Sequence, residues 1–314
     1  MEFIRRAVID VGTNSVKLLV ADVAGREVRP LWEDSRQTRL GQGFYETHKL
    51  QPEAVAYSAN AVADFAKRAR GKSAQSIRVI ATSAARDAVN PDDLISAIEA
   101  ASGLKVEIIS GEQEADWAFQ GVSTDPGLAK QPLLLLDVGG GSTEFILGKG
   151  EHKHFRESFQ VGAVRLMEKI PHSDPPAPEE LARCREWLKD FLRKNVELKL
   201  KPAMKREEKL NAGAVQLAGA GGTATVLAQM EAKLADFDRG KIEATRLNLR
   251  RVRWHVEHLW SLPLKERREI IGLPKNRADI ILTGVTIYEA VMEQFGFEEL
   301  RVSTRGLRFA AVMG

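Results

Sequence analysis

The chain repeats one short theme, and that repeat constrains its fold more than any other feature. Val8-Ile9-Asp10-Val11-Gly12-Thr13-Asn14-Ser15 is echoed by Leu135-Leu136-Asp137-Val138-Gly139-Gly140-Gly141-Ser142-Thr143. In each copy an apolar strand ends in Asp-Val-Gly. It then passes through a turn of small residues into a second strand, Val16 to Val23 or Glu144 to Leu147. The two Asp residues lie 127 positions apart, about one domain length. The repeat predicts two related domains facing each other across a cleft, residues 1–125 and 126–302. The turn cluster Ser123-Thr124-Asp125-Pro126-Gly127 marks the boundary. A closing helix, about 303–314, is expected to pack back on the first domain.

Strands and helices alternate around the first copy. Gln51 to Arg70 reads as a helix with Val55, Ala59, Val62, Ala66 and Ala69 on one face. Ile77 to Ala81 reads as a strand. Asn90-Pro91-Asp92-Asp93 carries helix-start signals, Gly103 a stop, and Val106 to Ile109 is a further strand. This order implies an α/β layer fold with parallel pairing.

Composition narrows the function classes. Forty-six Lys+Arg against 43 Asp+Glu leave a formal charge of +3, too mild for a dedicated nucleic-acid binder but compatible with a local anion site. No run of about 18 apolar residues is present, so no membrane partner is expected. Cys184 is the single cysteine. It excludes an internal disulfide and a multi-cysteine zinc site, and it fits a reducing compartment. The opening residues lack the regions of a signal peptide, so the expected location is cytoplasmic.

The candidate chemistry sits at small-residue turns. Gly12 lets the backbone bend sharply, and Thr13, Asn14 and Ser15 then offer donors in succession, which suits a phosphate. Asp10 at the strand end could hold Mg²⁺ through a water. In the second turn Gly139, Gly140 and Gly141 free the backbone to wrap an oxyanion, and Ser142 and Thr143 add donors. Asp137 and Glu144 bracket it. Two carboxylates beside a phosphate repel it unless a cation intervenes, so the pair implies Mg²⁺. A third loop, Ala218 to Thr225 with Gly221, Gly222 and Thr223, opens a helix; it suits either an anion or close helix packing.

Two further segments leave strands without glycine cradles. In Ala81 to Asp87, Ser83 and Arg86 either grip a phosphate or, for Arg86, pair with a nearby acid. In Ile109 to Ala115, Glu112 and Glu114 either cap the helix or supply a base for an attacking water.

Together these segments resemble the Ppx/GppA family, the exopolyphosphatases and guanosine pentaphosphate phosphatases. That family lies within the superfamily of actin, sugar kinases and heat-shock chaperone ATPases. The resemblance continues through Gly162-Ala163-Val164-Arg165-Leu166, Arg277-Ala278-Asp279 with Gly284, and Val302 to Arg308. It implies two actin-like, ribonuclease H-like domains. It makes Glu114 the general base and gives Asp137 and Glu144 to Mg²⁺ (or Mn²⁺) and water. Asn14, Ser15, Arg86, Gly139 to Thr143 and Gly222-Thr223 match phosphate-contacting positions. Three departures stand out: Gln113 where Glu is frequent, Asp116-Trp117 where Arg-Leu is frequent, and Thr304 where Asp is common. No His-Asp dipeptide occurs, so the chain is similar to the short, two-domain members.

The expected activity is Mg²⁺-dependent removal of terminal phosphate from inorganic polyphosphate. The alternative substrate is guanosine pentaphosphate, the nucleotide of the stringent response. A superfamily kinase or ATPase and a catalytically silent sensor are the other classes, and a homodimer is compatible with any of them. The basic stretch Arg193 to Lys209 is either a solvated helix face or a track for a polyphosphate tail.

Overall fold

A computed structural model describes residues 2–211 and 214–314 of the chain. Two units emerge. One comprises the residues up to Thr124 together with Arg305–Gly314; the other is Asp125–Thr304.

The first unit is built on β1 (Ile4–Val11), β2 (Ser15–Ala24), β3 (Glu27–Gln37), β4 (Ser76–Ala81) and β5 (Val106–Ile108), in the order β3-β2-β1-β4-β5. Residues alternate across β1 because successive side chains point to opposite faces. Ala7, Ile9 and Val11 enter one core with Val55, Ala59, Val62, Phe65 and Ala66 of the Pro52–Gly71 helix. Val8 enters the other, with Leu19, Ile80, Ile109, Leu307 and Phe309. The closing Leu307–Ala311 helix thus covers the second face.

The second unit uses β6 (Leu133–Val138), β7 (Thr143–Lys149), β8 (His152–Phe159), β9 (Gln216–Ala220), β10 (Arg246–Asn248) and β11 (Glu299–Val302), ordered β10-β11-β9-β6-β7-β8. Read from β8, the order β8-β7-β6-β9-β11 reproduces that of the first unit, with β10 added at the edge. Both sheets are mixed. β1–β2–β3 and β6–β7–β8 are antiparallel meanders, and only the β1–β4, β4–β5, β6–β9 and β9–β11 pairs are parallel. Parallel pairing therefore holds for two of the four pairings in the first sheet and two of the five in the second, where β10 also runs antiparallel to β11, because a short turn can only return the chain antiparallel.

This shared order merges motifs that are separate in sequence. β4 and β9 occupy the same place, so the Ala81–Asp87 segment and the Gly221–Thr223 loop are equivalent exits from equivalent strands. β3 and β8 lack a sequence signal of comparable strength. β3 is an edge strand, Glu27-Val28-Arg29-Pro30-Leu31-Trp32-Glu33-Asp34-Ser35-Arg36-Gln37, mostly solvent-facing and interrupted by Pro30. Charges and proline are how edge strands avoid further pairing, and they also erase the alternation that marks a strand. No helix among the described residues is long and apolar enough to cross a membrane.

Candidate phosphate-binding sites

The two turns are built alike. The Gly12 N–H donates to Ser15 O at 3.1 Å, and the Gly139 N–H to Ser142 O at 3.0 Å. A Cβ at Gly12 would stand 3.2 Å from Ser15 O, and one at Gly139 3.1 Å from Ser142 O, so both turns close too tightly for a side chain to sit there at ease.

In each turn the carbonyls are bound from behind. Gly41 N–H donates to Thr13 O at 2.7 Å, and the Thr38 and Arg39 N–H groups both donate to Asn14 O at 3.0 Å. In the second unit the start of the Ala163–Lys169 helix does this work. Ala163 N–H donates to Gly139 O, while Val164 and Arg165 N–H groups share Gly140 O, and Arg165 Nε reaches Gly141 O at 2.7 Å. Carbonyls turned to the rear leave N–H groups on the other side. Among the described residues the N–H groups of Thr13, Asn14, Gly140, Gly141 and Ser142 have no backbone acceptor. Successive unmatched N–H groups in a tight turn form an anion-binding concavity.

The first unit adds buried side-chain atoms that lack partners: Asn14 Nδ2, Ser83 Oγ, Thr38 Oγ1 and Asp10 Oδ1. These residues are 8%, 3%, 3% and 8% exposed. A buried polar atom left unpaired costs about 1–3 kcal/mol, so four around one turn point to a ligand. Asp10 lies across the ladder from Lys17. Burial pushes its carboxyl above the usual aspartate range, and Lys17 and Arg308 oppose that shift.

Arg86 is paired with an acid, and the acid is Glu114. Its Nη1 donates to Glu114 Oε2 at 2.9 Å and to Ile109 O at 3.1 Å. Ser110 caps the Gly111–Val122 helix by accepting from the Gln113 N–H at 3.1 Å. Capping therefore falls to Ser110, and the Glu114 carboxylate is turned to Arg86.

In the second unit Asp137 and Glu144 are register partners across β6 and β7, so they share one face of the sheet. Glu144 is buried and accepts from Ser158 Oγ at 2.7 Å. Gly221, at φ +77°, brings its Cα against Asp137; a Cβ there would stand 2.1 Å from Oδ1. Thr143 and Thr223 use their hydroxyls internally, donating to Val161 O and Val138 O. What these threonines can offer a phosphate is backbone.

Sequence reasoning missed three residues. Gln37 and Thr38 end an edge strand with no strong pattern; the available signal was Arg39-Leu40-Gly41-Gln42-Gly43, since Gly41 has no room for a Cβ against the Thr13 methyl. Arg277 packs its guanidinium on Gly222, where a Cβ would meet Nη1 at 2.2 Å. Burial holds Arg277 below the usual arginine range, and no carboxylate offsets that shift. A half-buried cation on a glycine loop is suited to an anion, and Arg277-Ala278-Asp279 was visible as a motif without a role.

The basic stretch takes the solvated form for four of its seven cations. Arg193 and Lys194 hold Asp190, Lys199 holds Glu157, and Lys201 holds Glu197. At Thr304 the carboxylate is supplied by Glu243, which accepts from the Thr304 hydroxyl at 2.5 Å. Trp117 lies under the Arg78 guanidinium, 4.6 Å from its ring centre.

Two turns that present backbone N–H groups, one of them flanked by paired carboxylates, are equipment for phosphate chemistry. The comparisons with known proteins agree. Residues 19–313 match the Ppx/GppA phosphatase family. The chain belongs to this family. It is 34% identical to exopolyphosphatase 2 of Mycobacterium tuberculosis, over 96% of each chain. The Ppx/GppA family member from Aquifex aeolicus superposes with a TM-score of 0.78 at 28% identity, covering 99% of this chain and 97% of that one. An exopolyphosphatase from Cytophaga hutchinsonii does so with a TM-score of 0.85 at 26% identity, covering 98% and 96%. Both units thus carry the actin-like, ribonuclease H-like fold, and the chain is a phosphoanhydride hydrolase.

Proposed function

We propose that this Ppx/GppA member is an exopolyphosphatase, hydrolysing the terminal phosphoanhydride of inorganic polyphosphate. The observation that carries the reading is the Asp137–Glu144 pair on one sheet face, beside a turn whose N–H groups await an anion. Similarity to the mycobacterial exopolyphosphatase supports the substrate class.

Asp137 and Glu144 fit Mg²⁺. Among the described residues no three His, Cys, Asp or Glu side chains stand together as a closed cage. Mg²⁺ is commonly held by one or two carboxylates, with waters and substrate phosphates completing its shell. When bound, it supplies neutralising charge at the phosphoryl oxygens. Asp10, with a buried oxygen lacking a partner, is a further candidate ligand, weakened by the lysine opposite.

In this reading the chain's own groups position rather than bond. Hydrolysis of a phosphoanhydride needs an aligned water and stabilised equatorial oxygens. In the first unit the Thr13 and Asn14 N–H groups are suited to bind phosphoryl oxygens, and in the second those of Gly140 to Ser142 are. Ser83 and Asn14 add side-chain donors, and Arg277 at Gly222 adds a charge. Glu114 accepts the proton of the attacking water, its carboxylate oriented by Arg86.

Phosphate release from polyphosphate, guanosine pentaphosphate and ATP, measured side by side with Mg²⁺ and with chelator, tests the reading. Polyphosphate turnover that vanishes in chelator is expected. Glu114→Gln should lower turnover by roughly 10²–10⁴ while substrate binding persists. A protein inert toward polyphosphate, or a variant of near-normal rate, would overturn it.

A further inference from the structure

We infer that Gln37 is a positioning residue for phosphate binding: it decides which end of the Asn14 carboxamide faces the first turn. The inference rests on the reading of that turn as a phosphate site. Gln37 closes β3 directly across from Ser15. Its Nε2 donates to Asn14 Oδ1 at 3.2 Å. The Asn14 main-chain carbonyl is occupied by the Thr38 and Arg39 N–H groups. Both oxygens of Asn14 are therefore bound from the β3 side. Its Nδ2 is left buried with no partner.

A carboxamide has a donor end and an acceptor end. Turned one way, Asn14 offers an anion two N–H bonds; turned the other, it offers a repelling carbonyl. The Asn14 backbone does not choose between them, because rotation about the last side-chain bond exchanges the two ends. Gln37 chooses by donating. It touches no substrate in this scheme and acts only through Asn14.

Two substitutions separate this role from a structural one. Gln37→Met keeps length and removes the donor. The Michaelis constant for polyphosphate should rise about threefold to tenfold, the worth of one hydrogen bond, with kcat within about twofold. In an Asn14→Ala background the same change should have almost no effect, because the residue through which it acts is gone. Gln37→Glu reverses the polarity. An ionised carboxylate only accepts, so it should draw Asn14 Nδ2 toward itself and turn Oδ1 to the phosphate. Once protonated, that side chain donates again. The defect relative to the unmodified protein should thus be largest near pH 8 and shrink as pH falls toward about 4, the ordinary glutamate range.

The binding arm uses inorganic phosphate and the side-chain amide resonance of Asn14 in the full chain. Phosphate should shift that resonance, and Gln37→Met should weaken the response. If polyphosphate is not hydrolysed but the resonance responds as described, the functional reading falls and the role of Gln37 stands. If polyphosphate is hydrolysed and Gln37→Met costs as much with Ala at position 14 as with Asn, Gln37 is only structural. A Gln37→Glu defect independent of pH, or an amide resonance unmoved by phosphate, also overturns the inference.

Discussion

In the first unit Asp10 stands across the ladder from Lys17, while at the same place in the second Asp137 stands across from Glu144. The surrounding frame is shared: the strand order, a short turn opened by glycine, and carbonyls held from behind. The pair opposite the turn differs by two charges. An Asp–Lys pair is neutral and can rest beside a phosphate unaided. An Asp–Glu pair beside a phosphate needs a cation. On the proposed reading, one duplicated scaffold serves as an anion grip in one unit and as a cation-dependent site in the other. A single register position decides which.

The most damaging way to break this comparison is to make the second unit like the first. Glu144→Lys places a lysine opposite Asp137. The carboxylate pair proposed for Mg²⁺ is then lost, and turnover should fall by roughly 10²–10³, the effect of several kcal/mol of transition-state stabilisation. Glu144 is buried, so Glu144→Gln serves as a conservative partner that retains the contact with Ser158. That variant should need more Mg²⁺ for half activity while melting near the unmodified protein. If both variants hydrolyse polyphosphate normally at low Mg²⁺, the difference between the two pairs has no functional meaning.

The rear supports sharpen the comparison next. A Cβ at Gly162 would stand 2.6 Å from Gly140 C and O, backbone against backbone. At Gly41 it would meet the Thr13 methyl at 2.3 Å, the end of a side chain that can rotate. Gly162→Ala should therefore cost about 1–3 kcal/mol of stability, the range for overpacking a tight site, and Gly41→Ala less. Chemical denaturation of the two variants checks the order. Equal losses would mean that the two turns are supported with the same rigidity.

The shared frame was legible in the sequence because the Asp-Val-Gly echo survives in both copies. The core strands also carry unbroken apolar runs, as in Leu133 to Leu136. What escaped was long-range pairing. Ala81–Asp87 and Gly221–Thr223 look unrelated until β4 and β9 fall at the same place in two sheets. Glu114 was expected to be either a helix-capping acid or a base, and its contact with Arg86, which spans 28 residues, has no local signature. Gln37 lay on an edge strand whose polar character hides both its conformation and its purpose. Backbone supports such as Thr38 N–H to Asn14 O carry no residue preference, so sequence cannot announce them.

The smallest expected effect concerns Asp10, the residue that makes the first pair neutral. Its carboxyl is raised above the ordinary aspartate range by burial, with Lys17 and Arg308 acting against the shift. A raised folded-state value means that the unfolded chain releases this proton at a lower pH than the folded one. Stability is then lost as pH rises from the unfolded value, about 3.9, through the folded one, and is level beyond it. Asp10→Asn removes that dependence. Its melting temperature should match the unmodified protein near pH 3.5, exceed it increasingly as pH rises, and then hold a constant lead. Lys17 supplies part of the compensation, so the lead should widen when Lys17→Met is introduced into both proteins. A lead that is constant with pH would mean that Asp10 carries no burial penalty. One indifferent to Lys17 would mean that the two residues across the first ladder are not a pair, and the contrast with Asp137 and Glu144 would lose its electrostatic basis.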